Sequence, residues 1–446
     1  MPIGIKKKHF SFKFWKRTLW GTPTRKKLSG NFFLLSILQI AKYLLPLITL
    51  PYLVRILQPS NYGLVAFAQA FISYFTIFTD YGFNLSATRD ISINRENKQI
   101  VKKIFSSVFA AKLLLGLLSS VVLLIILFFI PKFHNNWLLY IYSFGIVIGT
   151  ILFPVWFFQG MEKMKYITIL DIAAKIFFTV SIFIFIRKPE DYLYVPLLNS
   201  LGYIIVGIVS LVMIYKDFRI KPMIPSLNNI KYQFKEGWYI FASTMAVTSY
   251  RVLPSIAIGI FYSYSTVGYY VVGEKLIRTV TALLEPLTRT VFPFLSKSIQ
   301  ESSSKGINIA LSILRKLNVV TLCLSGAIFV FAEPIIYYFS GADYMESVLV
   351  LKIFSLLPFF VGIANIFGVQ IMLNINLKKE FLYILITGGI INLILLGIFI
   401  PLTSIYGVAF SVLLTEFFVM LMMVWTVYKN LKKQNFNLIK SMIKLK

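Results

Sequence analysis

The chain has 446 residues, of which 58% are hydrophobic and 14% charged, with a formal net charge of +28. A soluble domain carries about 25% charged residues, so this composition excludes an ordinary soluble protein and reads as a polytopic membrane protein. The positive excess would suggest nucleic acid in a soluble chain, but its placement here follows membrane topology, and no nucleic-acid partner is expected.

Residues 1–30 form a basic, aromatic tail in which Lys6, Lys7, Lys8, Lys13, Lys16 and Arg17 mix with Phe10, Phe12, Phe14, Trp15 and Trp20. A spanning helix needs roughly 20 apolar residues. About twelve such runs follow: 31–56, 63–86, 104–130, 137–158, 166–187, 193–215, 237–262, 267–294, 307–332, 347–371, 380–400 and 406–428. Turn chemistry separates them, as at Gln58-Pro59-Ser60-Asn61, Pro131, Pro189 and Pro401. Residues 429–446 close the chain with lysines interleaved among Leu431, Phe436, Leu438, Ile439, Met442 and Ile443. Both tails suit an anionic leaflet, as topology anchors or as a means of recruiting substrate.

The connections alternate in charge. Those on one side hold 33 of the 45 Lys and Arg, and those on the other hold only Lys132, Arg187 and Lys188. The positive-inside rule then places both termini in the cytoplasm, with an even number of spans. The first apolar run is too long for a cleavable signal peptide and is expected to remain as span 1. The outer loops are short, which leaves no room for an organised extracytoplasmic catalytic domain, and no phosphate-binding loop is present. His9 and His134 fall in connections and Cys323 is the sole cysteine, so neither a disulfide framework nor a metal site is expected. The chain is therefore expected to carry no cofactor and no catalytic group.

Two spans share a polar stripe. Gln69, Ser73, Thr76, Asp80 and Asn84 recur 205 residues later as Glu274, Arg278, Thr281, Glu285 and Arg289. The steps of 4, 3, 4 and 4 place each set on one helix face, and Gly63 and Gly268 match at the same offset. The repeat predicts an all-α fold of two six-helix lobes, 31–215 and 237–428, joined by a cytoplasmic linker, 216–236. An even number of spans per lobe implies a pseudo-twofold axis along the membrane normal, as in parallel-repeat transporters.

Charges inside the spans must face protein or water, because a lipid-facing one costs about 2.5–3.5 kcal/mol. Lys42, Asp80, Lys112, Asp171 and Lys175 lie in the first half, and Arg251, Glu274, Lys275, Arg278, Glu285, Arg289, Lys352 and Glu416 in the second. Span 7 adds a stripe of Thr244, Thr248, Arg251 and Ser255. Arg251 matches Pro46 under the repeat, one turn beyond Lys42. Spans 1, 2, 7 and 8 are thus expected to surround a central cavity. Its basic members are Lys42, Arg251, Arg278, Arg289 and Lys275, able to grip an anionic head group. Asp80, Glu274 and Glu285 are its carboxylates, available for coupling to a proton or sodium ion. The pairs Glu274/Arg278, Glu285/Arg289 and Asp171/Lys175 also have the spacing of simple intrahelical ion pairs.

Several segments resemble the polysaccharide flippases, of the O-antigen type, in the multidrug/oligosaccharidyl-lipid/polysaccharide exporter superfamily. They are Pro51-Tyr52-Leu53 through Tyr62-Gly63, Ala66-Phe67-Ala68-Gln69, Pro154-Val155-Trp156-Phe157-Phe158-Gln159-Gly160, Gly273-Glu274-Lys275 and Phe292-Pro293. The resemblance implies a non-enzymatic flippase in a bacterial cytoplasmic membrane, working by alternating access of two lobes. Its implied substrate is an undecaprenyl-pyrophosphate-linked oligosaccharide moved from the inner to the outer leaflet for surface polysaccharide synthesis. Implied partners are membrane lipids and the polysaccharide polymerase and chain-length machinery. Glu285 and Arg289 are more heavily charged than that pattern leads one to expect. The alternative is a multidrug/cation antiporter of the same superfamily, for which a cationic cavity has the wrong sign. A glycan polymerase would need the outer catalytic loop that is missing.

Overall fold

The computed structural model describes residues 23–282 and 284–433, whose regular structure is entirely helical, with no strand among the described residues. Residues 1–22 and 434–446, the greater part of the basic tails 1–30 and 429–446, lie outside the described residues. Expected spans 1 and 2 form one helical run, α1 (Pro23–Asp80), divided at Gln58 with φ 59°. Gln58 precedes Pro59, whose ring disfavours the α region for its neighbour, so the chain turns there. Tyr81 and Gly82 also take positive φ and separate α1 from α2 (Phe83–Ile93).

α3 (Lys98–Phe129) begins where the Asn97 side chain accepts from the backbone N–H groups of Gln99 and Ile100. The short α4 (Pro131–His134) leads into α5 (Trp137–Leu152), and α6 (Val155–Gly160) follows the break at Phe153-Pro154. α7 (Met164–Phe185) and α8 (Tyr194–Asp217) complete the first half. The Ser226 side chain caps α9 (Leu227–Phe261), so this helix starts inside the stretch expected to be linker.

The second half is more broken than its apolar runs suggest. Expected span 8 falls on α10 (Tyr264–Ala282) and α11 (Leu284–Glu301), which flank residue 283, a position outside the described residues. After α12 (Ser303–Val330) and α13 (Ala332–Ser340), span 10 consists of α14 (Ser347–Phe354), α15 (Leu357–Ala364) and a π-helical turn, Asn365–Met372. α16 (Lys378–Lys433) holds expected spans 11 and 12, divided at Thr403 and Ser404. Among the described residues, eight helical runs are long and apolar enough to cross a membrane, nine if the bent α9 counts as one. The run Lys378–Lys432 contains two of the expected spans, and Ile48–Ile93 contains span 2 with the end of span 1. At about 1.5 Å per residue such runs far exceed one bilayer crossing.

The buried side chains form three cores. One joins the halves: Leu57, Phe67, Tyr140 and Ile182 pack in the same cluster as Tyr270, Ile336, Phe354 and Val408. Its members sit at the helix ends whose connections carry few basic residues, here called the sparse end. At the other, basic end the halves have separate cores. Phe83, Phe105, Trp156, Phe157 and Phe158 belong to the first half, and Leu295, Ile307, Phe367, Met423 and Val427 to the second. At the basic end the first half is met by α9, where Tyr81 stacks on Phe241 at 4.7 Å and Arg89 pairs with Glu236 at 2.7 Å.

At the sparse end two backbones touch. A Cβ on Gly63 would lie 1.8 Å from the Tyr264 carbonyl oxygen and 2.6 Å from the Gly268 nitrogen. A Cβ on Gly268 would lie 2.4 Å from the Pro59 carbonyl oxygen. Pro59 and Tyr264, like the two glycines, are 205 residues apart, so the contact is reciprocal.

The Trp156-Phe157-Phe158 run anchors the basic end. All three rings are fully buried, Phe105 lies 5.7 Å from Trp156 and 5.6 Å from Phe157, and the Thr88 hydroxyl donates to the Trp156 carbonyl at 3.1 Å. Truncating a buried aromatic costs about 3–5 kcal/mol. Trp156→Ala is therefore expected to lower the melting temperature of the detergent-solubilised protein sharply, whereas Trp425→Ala, at a side chain 61% exposed, leaves it nearly unchanged. Equal melting temperatures would remove the anchoring role.

Candidate functional site

Three adjoining cavities, of about 400, 450 and 260 Å³, run along the inside of the first half. The first two share Gln69, Ile146 and Asn199, the last two share Thr76 and Ile77, and Tyr203 borders both the first and the third. Every member of the first polar stripe lines them: Gln69, Ser73, Thr76, Asp80 and Asn84. The walls come from α1, α2, α3, α5, α6, α7 and α8, while α9 contributes Thr244 and Thr248, and α10 contributes Lys275, Arg278 and Thr279. The space lies chiefly within the first half, with helices of the second half closing one side. This geometry is broader than a cavity bounded by spans 1, 2, 7 and 8 alone.

The second stripe distributes differently. Arg278 lines the first cavity and pairs with Glu274 at 2.7 Å. The Thr281 hydroxyl donates to the Arg278 carbonyl at 2.9 Å, within its own helix. The side chains of Lys42, Glu285 and Arg289 lie outside the described residues. Arg251 is exposed, with its guanidinium 5.8 Å from the Tyr250 ring centroid, and does not line the three cavities. Glu416 of α16 lies within electrostatic reach of both Arg251 and Arg278.

Most of the basic groups on the cavity walls already hold a carboxylate. Lys112 is 3% exposed and meets Asp80 at 3.0 Å, and Lys175 pairs with Asp171, one turn before it. The Tyr203 hydroxyl reaches Asp171 at 3.4 Å. Lys275 differs: its ammonium donates to the Tyr62 hydroxyl at 2.9 Å. Pairing of this kind is what a low-dielectric interior demands of a charge. The cavity surface thus combines neutralised ion pairs with hydroxyls, amides and one lysine held by a phenol.

Residue-type reasoning did not place Tyr62, Asn199, Tyr203 or Glu416 at the site. Asn199 and Tyr203 had a usable signal, being polar groups one turn apart on span 6, and Tyr62 adjoins the repeated Gly63. The proximity of Glu416 to Arg251 and Arg278 had none, because only helix packing brings α16 beside α9 and α10.

The Asp80–Lys112 pair is directly testable. Asp80→Asn leaves a buried lysine without its counter-charge, a change that costs about 3–5 kcal/mol. Folded yield and melting temperature in detergent are expected to fall, and Lys112→Met added to Asp80→Asn is expected to recover most of the loss. No recovery in the double variant would mean that Asp80 acts other than through Lys112.

The polysaccharide biosynthesis protein family matches residues 28–299. An Escherichia coli (strain K12) protein assigned as an O-antigen transporter is 32% identical over 407 residues, 90% of this chain and 97% of that protein. A Shigella dysenteriae protein with the same assignment is 29% identical over 401 residues, covering 89% and 99% of the two chains. Among solved structures, an inward closed conformation of the lipid II flippase MurJ aligns with a TM-score of 0.70 at 14% identity, over 89% of this chain and 87% of that one. An inward-facing multidrug MATE transporter of the MOP superfamily aligns at 0.68 and 12% identity, covering 88% and 96%. An outward-facing MATE transporter aligns at 0.53 and 14% identity, covering 93% and 98%. At these identities the structures bear on the fold. The chain belongs to the polysaccharide biosynthesis protein family, as a multi-pass membrane transporter with the helical fold shared by MurJ and MATE proteins, and not as an enzyme.

Proposed function

We propose that the chain flips an undecaprenyl-pyrophosphate-linked oligosaccharide from the inner to the outer leaflet of a bacterial cytoplasmic membrane. The observation that carries this reading is the row of adjoining cavities that the whole first polar stripe lines, the first of them bordered by Lys275 and Arg278. The cavities are of the size of ligand sites, and arginine and lysine supply charge-assisted donors for phosphate oxygens. Lys42, Arg251 and Arg289 are the further basic groups assigned to head-group binding, and Asp80, Glu274 and Glu285 are the carboxylates assigned to ion coupling.

The positive-inside rule puts the basic end, and both termini, in the cytoplasm. The sparse end, where the two halves share a core, then faces outward. The described state is accordingly closed to the outside, and substrate enters from the inner leaflet. The reciprocal contact of Gly63 and Gly268 favours two lobes, 31–215 and 237–428, related by a twofold axis, since residues that meet their own repeat partners lie beside such an axis. Rocking of these lobes would expose the cavity alternately, with the prenyl tail remaining in lipid. The flipped glycan would then pass to polymerase and chain-length machinery.

Purified protein in liposomes containing labelled undecaprenyl-pyrophosphate oligosaccharide provides the test, read as label that becomes accessible on the opposite leaflet. Protein-dependent crossing is expected. Arg278→Glu and Arg251→Ala are each expected to slow it by about 10- to 100-fold, the scale of a lost charged hydrogen bond at 1.5–3 kcal/mol. Crossing unchanged in both variants would remove these residues from the pathway. Absence of crossing by the parent protein, together with protection of cells against lipophilic cations, would favour a cation antiporter instead.

A further inference from the structure

The geometry points to Lys275 as the group through which a bound diphosphate loosens the seal at the sparse end, with Tyr62 as the positioning residue that holds it until the ligand arrives. This inference rests on the flippase reading and extends it from where the head group binds to how binding is felt.

The seal between the halves is built from contacts of two kinds. Most of them are turned away from the cavities. Gly63 meets Tyr264 and Gly268 through backbone atoms, Arg55 donates to the Tyr338 carbonyl, and Lys132 donates to the Ile260 carbonyl at 2.9 Å. None of these residues lines the three cavities. Tyr62 and Lys275 form a cross-half contact that does line one, the cavity of about 400 Å³ also bordered by Arg278. Tyr62 adjoins Gly63, so it sits at the seal itself. Its ring packs edge-on against Tyr344 at 6.4 Å, and Tyr344 in turn meets Tyr269 at 6.1 Å. The side chain is thus fixed by packing, with its hydroxyl directed at Lys275.

Lys275 is also the cation on that wall best placed to change partner. Arg278 and Lys175 hold Glu274 and Asp171, whereas Lys275 holds a neutral phenol, and its ammonium has three donors. A hydrogen bond charged on both sides is roughly twice as strong as a neutral one. A diphosphate entering the cavity therefore outcompetes the Tyr62 hydroxyl for the ammonium. Once Lys275 turns to the ligand, the seal loses a cavity-facing hydrogen bond between the halves, and the closed state loses stability relative to the open one. The ligand shifts the equilibrium by the difference in its interaction with the two states. A neutral sugar or prenyl alcohol cannot make this exchange.

The test uses full-length protein in proteoliposomes with Cys323→Ser and Ala66→Cys, because Ala66 lines the same cavity and is 7% exposed. A membrane-impermeant thiol reagent is applied from the sparse end only, with farnesyl diphosphate as the ligand probe and farnesol as the control. In the parent, farnesyl diphosphate is expected to raise the labelling rate about fivefold or more, and farnesol to leave it unchanged. Tyr62→Phe, which keeps the ring and loses the acceptor, is expected to label fast without ligand and to gain little from it. Lys275→Gln is expected to lose the response and Lys275→Arg to retain it. Melting temperatures verify that each variant is folded, and any variant that fails this check is replaced by Lys275→Met.

A response in Lys275→Gln equal to that of the parent would overturn the proposal, as would slow ligand-dependent labelling in Tyr62→Phe. So would a parent that flips the lipid-linked glycan yet shows no diphosphate-dependent labelling, which would leave the flippase reading intact. A parent that flips no glycan but opens to farnesyl diphosphate through Lys275 would support the latch and overturn the flippase reading.

Discussion

At Gly63 and Gly268 the backbones of the two halves approach so closely that no side chain fits between them. This contact fixes which end of the bundle is shut. A common core forms around it from both halves, while at the opposite end each half keeps a core of its own. The polar cavities lie along the inside of the first half, with the second half as one wall. Glycine is required at both positions for a steric reason, since any Cβ would overlap a backbone carbonyl of the opposite half.

The second constraint is that charge in a membrane interior needs a partner. Lys112 with Asp80, Lys175 with Asp171 and Arg278 with Glu274 satisfy it pairwise. The result is a cavity rich in ionisable groups whose fields largely cancel at short range. Such a surface carries less free positive charge than a list of its lysines and arginines implies. Selectivity for an anion then depends on which pairs exchange readily, and a lysine held by a phenol exchanges more readily than one held by a carboxylate.

The Trp156-Phe157-Phe158 run shows why a recognisable motif need not be a binding site. Its rings are buried against Phe105 and Phe218 at the basic end, away from the polar cavities. Gly160 completes the motif: a Cβ there would meet Ile91 at 2.7 Å and the Thr88 carbonyl at 3.0 Å, so this glycine lets α2 and α6 pack together. The motif holds the first half in shape around the space that the polar stripe lines.

The sequence by itself determined the helical class, the membrane setting and the first polar stripe, because these depend on periodicity and composition, which are local. Gln69, Ser73, Thr76 and Asp80 line the cavities from one face of α1, as their spacing required, and Asn84 joins them from α2, beyond the break at Tyr81-Gly82. The break at Gln58-Pro59 was likewise readable, since proline acts on its immediate neighbour, whereas the one at Phe153-Pro154 interrupts a stretch, 137–158, read as one span. The early start of α9 and the π-helical turn after Ala364 were not readable, because tertiary packing competes with local preference at each. The pairs Asp171/Lys175 and Glu274/Arg278 were legible in their one-turn spacing, but only the tertiary structure decided the pairings between helices. Asp80 meets Lys112 across 32 positions and Lys275 meets Tyr62 across 213, and no local rule couples residues so far apart. Helix–helix packing sets those distances, and through them which groups at the site are left to meet a ligand.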